Sequence, residues 1–351
     1  MAWEVSVREL GANDFPAWEH LVASAPGGSV YSLPEYLDAL CTVAGGRSRI
    51  VAACRGDELV GGVALYERSS RLGSYVAPRL LLYYNGLVVR RYETQYPSEN
   101  TARHVKILAA LEAALTGAGH ASVNLRSRSL HDVRPFLARG WSAEPSYSYV
   151  VPLDIAAAWG RVEQNLRRLI DRAGAEGLAC IDDDDFDSFF ELHATTLGRH
   201  GAGAYLPRDA FRDFVLALRR QSLAKLFHAR TADGRAVASQ LVLLGPHPVS
   251  HTASAGADPE FNKKGASAFL RWKAFEALAA LGYQGNDLTD ATLNPVTHFK
   301  SQLGGTLEVA LVLQSPQSRR FRWGTSFVQA GWRARAGRVA RRLLRRGGNA
   351  E

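Results

Sequence analysis

Lysine is scarce in this sequence: six residues, against 36 arginines, in a chain of 351. A chain that defaults to Arg for surface charge makes each Lys worth asking about, because an ammonium is a compact, movable donor and a guanidinium is not. Cysteine is also sparse. Cys41, Cys54 and Cys180 have no metal-ligand spacing and cannot all pair, which fits a reducing compartment. No apolar run approaches the roughly 20 residues that span a bilayer. The start, "MAWEVSVREL", shows no basic segment followed by an apolar one, so no signal peptide is visible and a cytoplasmic location is expected. The histidines, among them His193, His200, His251 and His298, show neither metal spacing nor an accompanying nucleophile. A zinc site and a Ser-His-Asp hydrolase are therefore unsupported.

What is present is an ordinary globular composition, 46% hydrophobic and 22% charged. The length favours two domains. The net charge of +8 is unevenly spread: residues 318–351 hold ten Arg and one acid, Glu351, leaving the body near neutral. Val328, Trp332, Val339 and Leu343 recur there at near-helical spacing. The tail reads either as a basic amphipathic helix for RNA phosphate or an anionic membrane face, or as a solvated terminus.

The body reads as a repeat. Each half runs helix, helix, strand, strand, strand, helix, strand, helix, strand. The hairpins turn at Gly56-Asp57 and Asp233-Gly234. Strand segments "RLLLYYNGLVV" and "PVSHTASAG" follow, then long helices over "SENTARHVKILAALEAALTGAG" and "NKKGASAFLRWKAFEALAALG". Strands "ASVNLRS" and "GNDLTD", short helices, and final strands "SYSYVVPLD" and "TLEVALVLQ" close the two copies. Residues 155–177 form a helical crossover, and the acidic run 182–185 caps the next helix. The fold class is α/β (α+β): a mixed sheet flanked by helices, built twice. The divisions are 1–154, 155–317 and the tail 318–351.

The doubled order, with "YNGLVV" at 84–89, "NLRRLIDRAGAEGL" at 165–178, and "NDLTD" followed by "HFKSQLGG", resembles the FemAB-like branch of the GNAT acyltransferase superfamily. The resemblance covers about residues 30–315. It implies two tandem GNAT-like domains, the first on the acceptor side and the second on the donor side. It implies transfer of an aminoacyl group from charged tRNA to an amine of a small metabolite or cell-wall precursor, with no further cofactor. The alternative is an acyl-CoA-dependent N-acyltransferase, and a non-catalytic binding module is a third reading. Either transfer needs a cation or N–H donors for a tetrahedral oxyanion, and an acceptor for the amine proton.

Lys300 reads as a cation complementing a helix C-terminus or, by the resemblance, as an ammonium facing donor phosphate or oxyanion. Asp287 and Asp290, at a strand end, are candidates to accept the proton or hold a substrate ammonium; turn or cap duty is the other reading. Lys263, Lys264, Gly265 and Ser267 occupy the place of the pyrophosphate loop of acyl-CoA enzymes. Ser267 stands where Gly or Ala is usual, and Asn262 where Gln or Arg is usual, which weakens the CoA reading. Asn294 is most simply an N-cap followed by Pro295; with His298 it is also assigned to the donor side. Tyr84, Asn85, Arg90 and Arg167 are assigned to the acceptor, although a half-buried strand explains the tyrosine equally well. The place of Lys300 is taken in the first half by Leu137, and this asymmetry points to chemistry in the second half.

Overall fold

A computed structural model describes residues 3–78, 81–199, 201, 203–318 and 321. His200 and, apart from Ser318 and Phe321, the Arg-rich tail lie outside the described residues. The first half comprises β1 (Ser6–Glu9), α1 (Phe15–Ser24), α2 (Pro34–Ala44), β2 (Arg47–Arg55), β3 (Glu58–Ser70), β4 (Gly73–Val76), β5 (Leu87–Val89), α3 (Pro97–Gly117), β6 (Ser122–Arg126), α4 (Arg134–Leu137) and β7 (Ser142–Pro152). The crossover is two helices, α5 (Ile155–Arg161) and α6 (Gln164–Ala175), rather than one. The second half comprises β8 (Ala179–Asp182), α7 (Phe186–Arg199), α8 (Arg208–Arg220), β9 (Ala224–Arg230), β10 (Ala236–Leu243), β11 (Val249–Ala257), α9 (Pro259–Lys263), α10 (Ala266–Ala280), β12 (Gly285–Asp287), α11 (Pro295–Ser301) and β13 (Thr306–Gln314).

The strands form one sheet in the order β1-β2-β3-β4-β6-β13-β7-β12-β11-β10-β9-β8, with β5 on β3. The two halves exchange their last strands. β13 pairs antiparallel with β6 of the first half, and β7 pairs antiparallel with β12 of the second. β7 and β13 then pair with each other over nine residues. The boundary at 154/155 divides the chain but not the sheet.

Helices cover both faces. Tyr31, Tyr36, Phe189, Phe211 and Phe214 join α2, α7 and α8 into a core shared by both halves. Phe269, Trp272 and Phe275 of α10 pack with Leu166 and Ile170 of α6 on the opposite face, and α3 anchors a third cluster. The acidic run behaves as a cap: the Asp185 carboxylate accepts from Ser188 N–H at 3.0 Å, while Arg219, Lys225 and Arg230 neutralise its neighbours.

One expected strand is much shorter than its sequence suggests. Among the described residues of "RLLLYYNGLVV", 81–89, only Leu87–Val89 is regular strand, and Leu81 sits at φ +67°. Asn85 explains the break. Its side-chain carbonyl accepts from Arg126 N–H at 2.8 Å, and its amide donates to the Asn124 carbonyl at 2.9 Å. With the Asn85 backbone N–H donating to the Arg126 carbonyl at 3.1 Å, side chain and backbone together tie this point to β6.

Candidate active site

β11 and β12 run parallel only as far as His251 and Asp287. Beyond that point β12 ends while β11 continues, and the gap lies at the carboxyl ends of parallel strands, where ligands tend to bind in open α/β sheets. Asp287 marks its floor and is 1% exposed. Both halves hold its carboxylate. Tyr84 Oη donates at 2.9 Å and Ser148 Oγ also donates, both from the first half. Thr289 N–H donates at 2.7 Å from the second. The His251 ring stands 3.6 Å away. Burial opposes ionisation here, but the His251 contact, the positive Arg128 and the Ser148 bond outweigh it and hold the carboxyl well below the usual range. Burial lowers the pKa of His251, against the opposing pull of Asp287, and its ring lies against those of Tyr31 and Tyr84.

The chain then turns sharply. Thr289 and Asp290 both take left-handed backbone, at φ +49° and +39°. For a β-branched residue this is a true outlier, and such strain costs about 1–3 kcal/mol per residue. Four contacts hold the turn. Thr289 Oγ1 donates to the Thr252 carbonyl at 3.1 Å, and Asp290 lies 3.6 Å from Arg126. Lys300 Nζ donates to the carbonyls of both Thr289 and Asp290, the second at 2.7 Å. The ammonium is therefore bound first to backbone. Burial, with Arg271 nearby, pushes its pKa down to about 8.

α11 presents Lys300 through ordinary helix chemistry. Asn294 accepts from Thr297 N–H at 2.9 Å, Pro295 opens the first turn, and Gly304 ends the unit at φ +80°. Asn294 is thus spent on capping, and its amide nitrogen donates to Thr292. His298 is exposed on the same helix.

The remaining candidates separate. Lys263 and Lys264 are exposed before α10, Lys264 lying 5.2 Å over the Phe261 ring. Gly265 has φ +96°, and a Cβ there would meet the Leu169 carbonyl at 2.8 Å, so its glycine is required by close packing of α6 on α10. Ser267 is half-buried in the first turn of α10. Arg167 is on α6, the helix whose Leu169 packs against Gly265 of this loop. Arg90 is likewise not brought to Asp287; it pairs with Glu58 at 2.9 Å beyond the end of β5. Asn85 is committed to β6. Of the acceptor set, only Tyr84 reaches the Asp287 cluster.

Sequence reasoning missed Ser148, His251, Arg126, Arg128 and Glu308. Glu308 is paired in register with Ser148, so it shares the face carrying Asp287. Partial burial pushes its carboxyl pKa up, Arg128 opposes this and the Asp287 charge adds to it. The signal was in "SYSYVV": Ser146 and Ser148 alternate with tyrosines, marking one polar face on a strand that is central in the sheet.

Residues 160–301 match the model of an acetyltransferase (GNAT) domain. A comparison with curated proteins finds no match. Among solved structures, FemX is similar with TM-score 0.69 at 12% identity, over 87% of this chain and 96% of that one. The C-terminal domain of a putative lysylphosphatidylglycerol synthetase from Agrobacterium fabrum is similar with TM-score 0.56 at 14% identity, over 88% and 94%. A tandem GNAT protein from the clavulanic acid biosynthesis pathway gives TM-score 0.50 at 14% identity, over 90% and 98%. Residues 160–301 therefore carry an acetyltransferase (GNAT) domain, within an overall fold similar to those of FemX and of the tandem GNAT protein.

Proposed function

We propose that this protein transfers an aminoacyl group from charged tRNA to an amine, forming an amide. The observation that carries this reading is the joint grip of both halves on Asp287, beside a carbonyl-bound ammonium. An aminoacyl ester carries an ammonium close to its carbonyl, and an acetyl thioester does not. A site with ionised carboxylate next to Lys300 suits the former. Similarity of fold to FemX and to a protein named for lysylphosphatidylglycerol synthesis points the same way.

In this reading the amine attacks the ester carbonyl, and the remaining N–H of Lys300 faces the developing oxyanion. Asp287 is too acidic and too fully bonded to serve as the base; it orients Tyr84 and Ser148, and its negative charge favours the donor ammonium nearby. Glu308, with its raised pKa and open position, takes the amine proton. As the intermediate collapses, the departing ribose oxygen takes the proton that Glu308 accepted from the amine, and the carboxylate is restored.

The test is incubation with labelled aminoacyl-tRNAs and a panel of amines, with and without RNase. Amide product that RNase abolishes supports the reading. Product that survives RNase and requires an acyl-CoA selects the second reading, which the acetyltransferase domain match favours.

A further inference from the structure

A cavity of about 290 Å³ opens in the first half, beyond the carboxyl ends of β5 and β6. Its walls come from the end of β5, the first turns of α3, the loop after β6 and Pro26. Arg91 lines it and is exposed, and its side chain forms no ion pair or hydrogen bond among the described residues. The acid that lines the cavity, Asp132, is already held by Arg134, whose Nε donates to Oδ1 at 2.8 Å and Nη2 to Oδ2 at 2.5 Å. His104 Nε2 donates to the Arg90 carbonyl at 3.2 Å, which fixes the strand end that carries Arg91. Two acceptors join this cation. Asn100 Oδ1 is buried without a hydrogen-bond partner among the described residues. His131 supplies the other. Its Nε2 lies 3.2 Å from both the Leu87 carbonyl and Ser129 Oγ. A carbonyl only accepts, so Nε2 carries the proton. Burial pushes the His131 pKa down to about 4. The ring is therefore neutral and its Nδ1 is a bare acceptor, again with no partner among the described residues.

An exposed arginine alone is ordinary surface. Here it converges with two unpaired acceptors in one concavity, at the lower end of the size range of small-molecule sites, where a few placed polar groups fix a ligand. A guanidinium without an acid suits a carboxylate or phosphate, which it can hold bidentately. The unpaired acceptors suit O–H donors, because a sheltered acceptor left without one costs free energy. A bare anion would leave Asn100 and His131 unpaired, and a neutral polyol would leave Arg91 unpaired. We propose that this cavity binds a small organic anion that carries hydroxyl donors beside its carboxylate or phosphate. Binding here is independent of the acyl-transfer reading, because the cavity shares no lining residue with the Asp287 cluster.

The test is thermal unfolding of the full chain at fixed pH and ionic strength, titrated with four probes. Gluconate carries a carboxylate with hydroxyls, and glucose 6-phosphate carries a phosphate with hydroxyls. Hexanoate has the charge without the donors, and glucose has the donors without the charge. A ligand bound only by the folded state raises Tm. Gluconate, glucose 6-phosphate or both are expected to raise the wild-type Tm by on the order of 2 °C per tenfold increase in concentration above Kd, and hexanoate and glucose by much less. Arg91→Gln, at an exposed position, is expected to keep the Tm without ligand and to lose the response to the anions. Asn100→Leu is expected to bring the gluconate or glucose 6-phosphate response down toward that of hexanoate, which tests the donor half of the recognition on a second variant. The anion whose response falls further in Arg91→Gln identifies the group as carboxylate or phosphate. No wild-type response to either polyhydroxylated anion, a response that hexanoate matches, or one undiminished in Arg91→Gln overturns the proposal.

Discussion

Two opposed pH dependences meet at Lys300. Its pKa falls from 10.5 to about 8, so below about pH 8 the folded protein holds a costly ammonium. Between about 8 and 10.5 the unfolded chain binds the proton and the folded one does not, so this residue's contribution makes stability rise with pH in that window. Oxyanion stabilisation needs the charged form and declines over the same range. The expected kcat/KM profile falls above about pH 8 while this contribution to Tm rises. Lys300→Met should lose about 100-fold in kcat/KM, on the order of 3 kcal/mol, and lose that alkaline limb with it. An alkaline limb that survives the substitution would assign it to another group. Asp287 has the opposite sign. Its depressed pKa gives stability that is present above the unfolded carboxylate value, about 3.9, and lost as pH falls through the folded one. Asp287→Asn should cost about 2 kcal/mol at pH 7, the scale of buried bonds to a charged acceptor, and flatten the acid side of a Tm–pH curve.

The segment from β12 through α11 is an element under tension, and its two ends are unequally legible in sequence. Asn294, Pro295 and Gly304 announce the helix boundaries, since a capping side chain, a preset φ and a left-handed exit are local requirements. At Thr289-Asp290 a turn was one reading of the Asp, but the left-handed backbone of the β-branched Thr289 was not legible, because only tertiary contacts hold it there. Asn85 is a similar case: in sequence it interrupts a strand of apolar residues, and only β6 shows why. The expected role of Lys300 at the donor end required the family resemblance; its carbonyl partners could not be read from spacing. Gly304→Ala should cost roughly 1–2 kcal/mol for the left-handed backbone alone. The new Cβ would also lie 3.0 Å from the Ala158 carbonyl and 3.2 Å from Arg161, displacing α5 from α11. Asp290→Gly should act oppositely on the fold, raising Tm by relieving strain, and lower kcat because the turn is no longer set in one geometry. Calorimetry and steady-state kinetics on this variant check both signs; a lower Tm would show that the Arg126 contact outweighs the strain.

At the scale of the whole molecule the repeat was readable and the exchange of strands was not. Periodicity reports which residues form strands, and each half has a complete complement of them. It carries no information on partners, because β7 and β13 have similar alternation and either would fit either gap. The exchange makes the two halves one folding unit. Among the described strands, β7 pairs with none from residues 1–141, and β13 with none from the second half. Separated, the first half would leave β6 unpaired along its β13 edge and β7 without a sheet. The second would rest β12, three residues long, on β11 alone. Asp287 would lose Tyr84 and Ser148 at the same time. Residues 1–154 and 155–351 expressed apart should therefore be unfolded or aggregated, since exposed strand edges and half-covered cores favour association. Expressed together they should assemble into a soluble complex with native circular dichroism, and the intact chain should unfold in urea in one transition with the same midpoint by fluorescence and far-UV signal. Two transitions, or a separately folded first half with dispersed amide resonances, would show that the exchanged strands are dispensable and that each half closes its own sheet.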